Sequence, residues 1–178
     1  MNTPRVSPGG LSELGPINWI FARGAARVIG VTDAHIFSTL GRTRGVFRAW
    51  LHYSSRLMPF GALSRKDTEM IIIRVAQQRG CDYELDHHLR LGARAGIDKA
   101  MADRIIEGPD AGWGDRERAM LVAADELVAT RDISDDNWAA LARHLDDRRL
   151  IAFTLLVGQY DSLATTITTL RIARDTRS

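Results

Sequence analysis

The sequence contains a single cysteine, Cys81, so no disulfide forms within the chain, and cysteine usage says little about redox compartment. Histidine is also scarce, with five in 178 residues. No His-x-x-x-His or Cys-x-x-Cys spacing supplies a metal-ligand set. Charge of one sign is nowhere concentrated: the net charge is +2, and the arginines are interspersed with acids along helical stretches. That excludes the basic footprint of a nucleic-acid binder. Long apolar runs are missing too. The longest, around Ile151 to Gly158, falls well short of the roughly 20 residues a membrane span needs, and no membrane helix is expected. Residues Met1 to Gly15 lack the basic start and apolar run of a signal peptide. Their richness in Pro, Gly and Ser predicts a flexible N-terminal arm, with a cytoplasmic location as the default.

What remains is an ordinary globular composition, 45% hydrophobic and 26% charged. That length suits one well-packed domain and is too short for two large ones, so residues 16–178 are expected to form a single domain. Apolar residues recur at three- and four-residue spacings with no sustained alternation, which predicts an all-α bundle. A helix is expected from about Ile17 to Ile29, then one or two short helices between Asp33 and Met58. Pro59 and Gly61 mark a stop, and Ser64-Arg65-Lys66-Asp67 has the pattern of a capping box that opens a helix running to about Arg79. Gly80 ends it, and Asp82 is placed to cap a helix from Tyr83 to Ala95. Further helices are expected from Asp98 to Glu107, from Asp115 to Thr130, after a Ser134 cap, and from Asp147 to Ala173.

The stretch from Glu69 to Ala95 carries the chemistry. At 100° per residue, Cys81, Glu84, His88, Leu91 and Ala95 project to one side of a helix whose other side holds Asp82, Asp86, Arg90 and Arg94. The apolar stripe therefore contains a carboxylate and an imidazole. The preceding helix repeats the anomaly, since Glu69 shares a face with Ile72, Ile73 and Ala76. Buried carboxylates are paired, shifted in pKa or functional. A satisfied ion-pair network between the two helices and a functional site both fit this pattern. Arg90 and Arg94, beside Asp86, read as a solvated face.

The same residues carry a resemblance. Glu69-Met70-Ile71-Ile72-Ile73-Arg74-Val75-Ala76, followed by Gly80-Cys81-Asp82-Tyr83-Glu84-Leu85-Asp86-His87-His88 and Ala95-Gly96-Ile97, resembles the core of the carboxymuconolactone decarboxylase and alkylhydroperoxidase D-like superfamily. The likeness extends, with less specificity, through Trp113 and Ile133-Ser134-Asp135 to Val157-Gly158-Gln159-Tyr160. In the alkylhydroperoxidase D-like branch the pattern is a Glu, a Cys-x-x-Cys twelve residues on, and a His four residues after the second Cys. Glu69, Cys81 and His88 match it, whereas Glu84 stands where the second cysteine would be. The disulfide cycle of that branch therefore cannot run on this chain alone. The decarboxylase branch has no cysteine pair and acts on a lactone bearing carboxylates, and His88-Leu89-Arg90 is similar to a His-x-Arg seen there.

The resemblance thus implies an enzyme in which Glu84 and His88 exchange protons with a small carboxylate-bearing metabolite, such as a lactone or enol acid, with Glu69 in support. Its rival is a single-cysteine hydroperoxidase in which Cys81 is the nucleophile and an external thiol resolves the sulfenic acid. An inert buried cysteine is the plain alternative for Cys81, and a non-catalytic helical module the plain alternative for the whole. Neither enzyme reading calls for a cofactor or a metal. The partners expected are a small-molecule substrate and, by the resemblance, further copies of the chain in a trimer or hexamer, with no nucleic acid and no membrane.

Overall fold

A computed structural model of the protein describes residues 3–176, and it divides them into two compact units. The first comprises the described residues up to Ser54 and from Thr166 onward; the second is Ser55–Thr165. Among the described residues there are nine α-helices, one 3-10 turn and no strand.

The first unit is built on α1 (Leu11–Ile29), α2 (His35–Leu40), a 3-10 turn (Gly41–Thr43) and most of α3 (Gly45–Leu57). α1 starts earlier than the sequence suggested, so the arm expected through residue 15 is shorter. The Gly10 N–H donates to Glu13 at 2.9 Å, which caps a first turn ahead of a break at Gly15 (φ 72) and a restart at Pro16. Before that turn, the Gly9 N–H bonds the Ser38 carbonyl at 2.9 Å. Leu14, Asn18, Ala22 and Ala26 recur every four residues and form the buried stripe of α1. A cluster of Phe21, Phe37, Phe47 and Trp50, with Phe21 edge-on to Phe37 and Phe47 and Phe47 stacked on Trp50, packs between these helices with ring centroids 5.5 to 6.4 Å apart.

In the second unit, α4 (Arg65–Gln78) packs against α5 (Asp82–Arg94), α6 (Lys99–Glu107) and α7 (Asp115–Thr130), and α8 (Asp135–Ala142) packs on α7. Ser64 caps α4 as expected, accepting from the Asp67 N–H at 3.1 Å. The sequence reading gave α4 one buried face, but every residue from Asp67 to Ala76 is buried. Over that stretch the helix has no solvated side, so the charged residues within it, Asp67, Glu69 and Arg74, must be paired within the protein. Arg116 holds Asp67 through two bonds of 2.9 and 2.7 Å. Arg74 spans to both oxygens of Asp125 at 2.6 and 2.7 Å and donates to the carbonyls of Ile105 and Ile106.

The turn from α4 to α5 uses the left-handed geometry of Gly80 (φ 58), which lets the Cys81 N–H reach the Ala76 carbonyl at 2.9 Å. Cys81, not the expected Asp82, occupies the N-cap position, and no side chain caps this end. On α5, a Cβ at Gly92 would lie 3.2 and 3.3 Å from Ile73 and Ile97, so glycine permits the close approach of α5 to α4.

The long helix α9 (Asp147–Leu170) ends three residues before the expected Ala173. By length and composition alone it is apolar enough to cross a membrane, contrary to the expectation drawn from unbroken runs. Thr154, Gly158 and Gln159 interrupt those runs without making the helix polar. Its Phe153, Leu156, Val157, Tyr160 and Ala164 are buried inside the protein, while Ile151 and Leu155 are exposed, the pattern of a helix with one buried face.

Candidate active site

Four side chains singled out by sequence, Glu69 of α4 and Cys81, Glu84 and His88 at the start and middle of α5, are all buried, with Glu69 at 0%, Glu84 at 2% and His88 at 6% exposure. Helical geometry sets the arrangement: Cys81, Glu84 and His88 stand on successive turns of one side, and α4 presents Glu69 to that side. His88 Nδ1 and Glu69 Oε2 are 2.7 Å apart. The carboxylate accepts the Nδ1 proton, which fixes the tautomer and leaves Nε2 as the nitrogen able to take up another proton.

Glu69 is oriented from its other oxygen as well. Arg65 Nη2 lies 2.6 Å from Glu69 Oε1, one helical turn away, in an ion pair that falls outside hydrogen-bond geometry. Its side chain is 36% exposed, so it joins the buried carboxylate to the outside. The Arg65 to Glu69 spacing of four was legible in the sequence as a helical ion pair, yet Arg65 was read only as part of a capping box.

Glu84 is held less firmly than Glu69: both carboxyl oxygens are buried without a well-formed hydrogen bond, and the polar group beside them is the Cys81 thiol. Burial is the main reason its pKa is raised, to about 8, and the charge of Asp161 adds to it while the neighbouring Cys81 thiol opposes it. At neutral pH Glu84 is therefore a protonated acid. Cys81 is pushed the same way, to about 12, by burial first and by the Glu84 carboxylate next; the backbone N–H groups of Tyr83 and Glu84 at the helix start pull weakly in the other direction. A thiol so held is not an activated thiolate.

One wall of the site comes from α9. The Tyr160 and His88 rings meet at right angles, with centroids 5.1 Å apart. Burial first, then the Glu84 and Glu69 carboxylates, raise the phenol pKa, while the Arg65 charge lowers it. Tyr160 entered the sequence reading only as part of a loose likeness, because nothing local to residue 160 says which helix it packs against. Arg90 and Arg94 stay away from this cluster, Arg90 bonding the Asp86 carbonyl at 3.2 Å. No group of three or more His, Cys, Asp or Glu side chains suited to a metal ion occurs among the described residues.

The site thus combines, in an all-helical fold, a buried Glu, a Glu–His pair and a buried cysteine. Residues 44–126 match the model of the carboxymuconolactone decarboxylase family. Over that stretch, somewhat under half of its length, the chain is similar to this family. No curated protein matches the sequence at a significant level. Among solved structures, an uncharacterized peroxidase-related protein with an alkylhydroperoxidase AhpD core from Ralstonia eutropha JMP134 superposes with a TM-score of 0.83 at 21% identity, covering 98% of this chain and 93% of that one. The debrominase Bmp8 superposes with a TM-score of 0.79 at 17% identity, over 95% of this chain and 91% of that one. A peroxidase-related protein from Silicibacter sp. TM1040 gives 0.78 at 16% identity, over 99% and 95%. At these identities the likeness is one of fold.

Proposed function

We propose that this protein is an enzyme of acid/base chemistry acting on a small carboxylate-bearing metabolite, a lactone or enol acid, with Glu84 as the proton donor and His88 as the proton acceptor. The observation that supports it is Glu84: a buried carboxyl without a well-formed hydrogen bond, its pKa raised to about 8, one turn from an imidazole whose other nitrogen is already bound to Glu69. Groups set apart in this way divide the labour of acid and base. Glu69, itself oriented by Arg65, fixes the His88 ring and stabilises the imidazolium formed when Nε2 takes a proton.

The rival assigns Cys81 to peroxide reduction, as the names of the peroxidase-related structural relatives suggest for them. Burial and the adjacent Glu84 hold Cys81 as a thiol, which weighs against it. We also place the protein in a homo-oligomer, trimer or hexamer, in the cytoplasm; the exposed Ile17, Ile20 and Val28 of α1 supply an apolar surface for self-association. Sedimentation as a stable monomer would remove that part.

The test of the chemistry is a panel of lactones and enol acids beside a peroxide-consumption assay. Turnover of a panel member that falls on the order of 10²-fold in Glu84→Gln and in His88→Asn, and persists in Cys81→Ser, supports the proposal. Peroxide turnover abolished in Cys81→Ser and untouched in Glu84→Gln overturns it.

A further inference from the structure

From Pro16 onward α1 is apolar on two sides. Asn18, Ala22 and Ala26 are buried, whereas Ile17, Ile20, Phe21 and Val28 leave 67%, 65%, 41% and 76% of their surface open. At 100° per residue these four and Gly24 fall within about 100° of one another, in a stripe that carries no charge. Ile17, Phe21, Gly24 and Val28 are spaced by four, three and four residues, the repeat of a coiled-coil seam. Glycine inside a helix is unfavourable beside alanine, and a Cβ at Gly24 would meet nothing within 4 Å among the described residues, so no packing within the chain calls for it. Arg23 and Arg27 lie to one side of the stripe, Arg23 with its guanidinium over the Trp19 ring, 5.6 Å from the centroid.

We propose that this stripe is a two-fold contact with a second copy of the chain, the two α1 helices running antiparallel with the partner's Val28 against Ile17 and the partner's Gly24 beneath Phe21. The inference rests on the self-association reading above and names its surface. The order four, three, four reads the same from both ends, so an antiparallel copy brings each member of the stripe to another member, as an isologous contact requires. It also sets large against small: Phe21 meets the position at which the partner's helix has no side chain, which gives the glycine a purpose. The area suffices. Taking roughly 200 Å² for a fully open large apolar side chain, the four expose on the order of 500 Å², so two copies bury about 1,000 Å², the lower bound of a specific interface. Arg23 and Arg27 of both copies come to the same side of the pair, and salt that screens their repulsion tightens the contact. Of the trimer and the hexamer expected, the two-fold belongs to the hexamer, where it joins two trimers.

The test is sedimentation of the full chain beside Ile17→Glu, Ile20→Glu, Gly24→Leu and Val28→Lys. The wild type should form an assembly with an even number of copies that dissociates less as salt is raised. Each variant should halve that mass, or weaken association by about tenfold or more, while circular dichroism shows the helix content unchanged, as expected for substitutions at exposed positions. A mixture of Ile17→Glu and Val28→Lys tests the register. Antiparallel helices set the carboxylate of one chain against the ammonium of the other and restore the wild-type mass; parallel helices leave both charges against apolar side chains. A wild-type trimer, variants that keep the full assembly, or a mixture that stays dissociated would each overturn the two-fold contact and leave self-association to another face. A wild-type monomer removes both readings. If that monomer binds phosphatidylserine vesicles, less well as salt rises and not at all in Ile20→Glu, the stripe belongs to an anionic membrane surface and not to a second copy.

Discussion

Glu69 Oε2 and His88 Nδ1, 19 residues apart in sequence and 2.7 Å apart in space, tie α4 to α5 through a bond that is shut off from water. A buried charge-assisted hydrogen bond of this kind costs desolvation on both sides, so removing the acceptor leaves the Nδ1 proton unpaired. Glu69→Ala is expected to destabilise the fold by about 1–3 kcal/mol, the cost of stranding a buried donor. Glu69→Gln keeps an acceptor for the Nδ1 proton and should lose less stability, while still lowering activity through a poorer imidazolium partner. Urea denaturation of both variants checks the order, and equal losses would contradict it.

Glu84 gives the protein a pH signature. Its folded pKa of about 8 lies above the ordinary carboxyl value, so between roughly pH 4.5 and 8 the folded state binds a proton that the unfolded state has released. The contribution of Glu84 to stability is therefore complete below the unfolded pKa and is lost as pH rises through about 8. Glu84→Gln cannot ionise, and its stability relative to the wild type should improve steadily over that interval. On the proposed acid/base reading, kcat/KM should fall as pH rises through about 8, and this limb should be absent from Glu84→Gln. Denaturation midpoints that track each other at all pH values would show that Glu84 does not titrate there.

The burial of this cluster was legible in the sequence. A carboxylate and an imidazole on an apolar helical stripe are out of place, and periodicity alone brought Cys81, Glu84 and His88 to one side of α5, where they are buried. What periodicity could not supply was the set of partners from distant segments. Arg116, Asp125 and Tyr160 lie 49, 51 and 72 residues from Asp67, Arg74 and His88. Which helix covers which side of α4 depends on three-dimensional packing, so a helix buried on all sides was read as amphipathic. The helix starts at Leu11 and Cys81 were missed for a local reason: a short turn ahead of Gly15 and an N-cap without a side-chain acceptor leave little signal.

Arg74 supports the site from below. Its guanidinium joins α4 to Asp125 of α7 and to the carbonyls that end α6, and its side chain is 8% exposed. Asp125→Ala strands this charge and should cost about 3–5 kcal/mol in thermal or chemical unfolding. Gly108, at φ 128, lies against the same group, with an added Cβ 3.0 Å from Arg74 Nη2. Gly108→Ala is therefore expected to destabilise through both backbone strain and displacement of the guanidinium. A Gly108→Ala protein as stable as the wild type would show that the Arg74 network tolerates such a shift.

Cys81 offers the sharpest separation of the two chemistries, because its reactivity depends on Glu84 in a direction that can be measured. Burial alone disfavours the thiolate, and an ionised Glu84 disfavours it further. Below about pH 8 Glu84 is neutral and only burial acts; above it the carboxylate repels a second negative charge on the sulfur. Alkylation of Cys81 by iodoacetamide in the folded protein should therefore be slow at neutral pH and rise less steeply with pH than for an exposed thiol. Glu84→Gln should react like the wild type below about pH 8 and faster above it. Cys81→Ser preserves the volume of the side chain, removes the thiolate and should retain most of the turnover of the acid/base substrate. Rapid alkylation of the wild-type thiol at neutral pH, independent of Glu84, would mean that Cys81 is activated by some other group, and would return the peroxidase mechanism to first place.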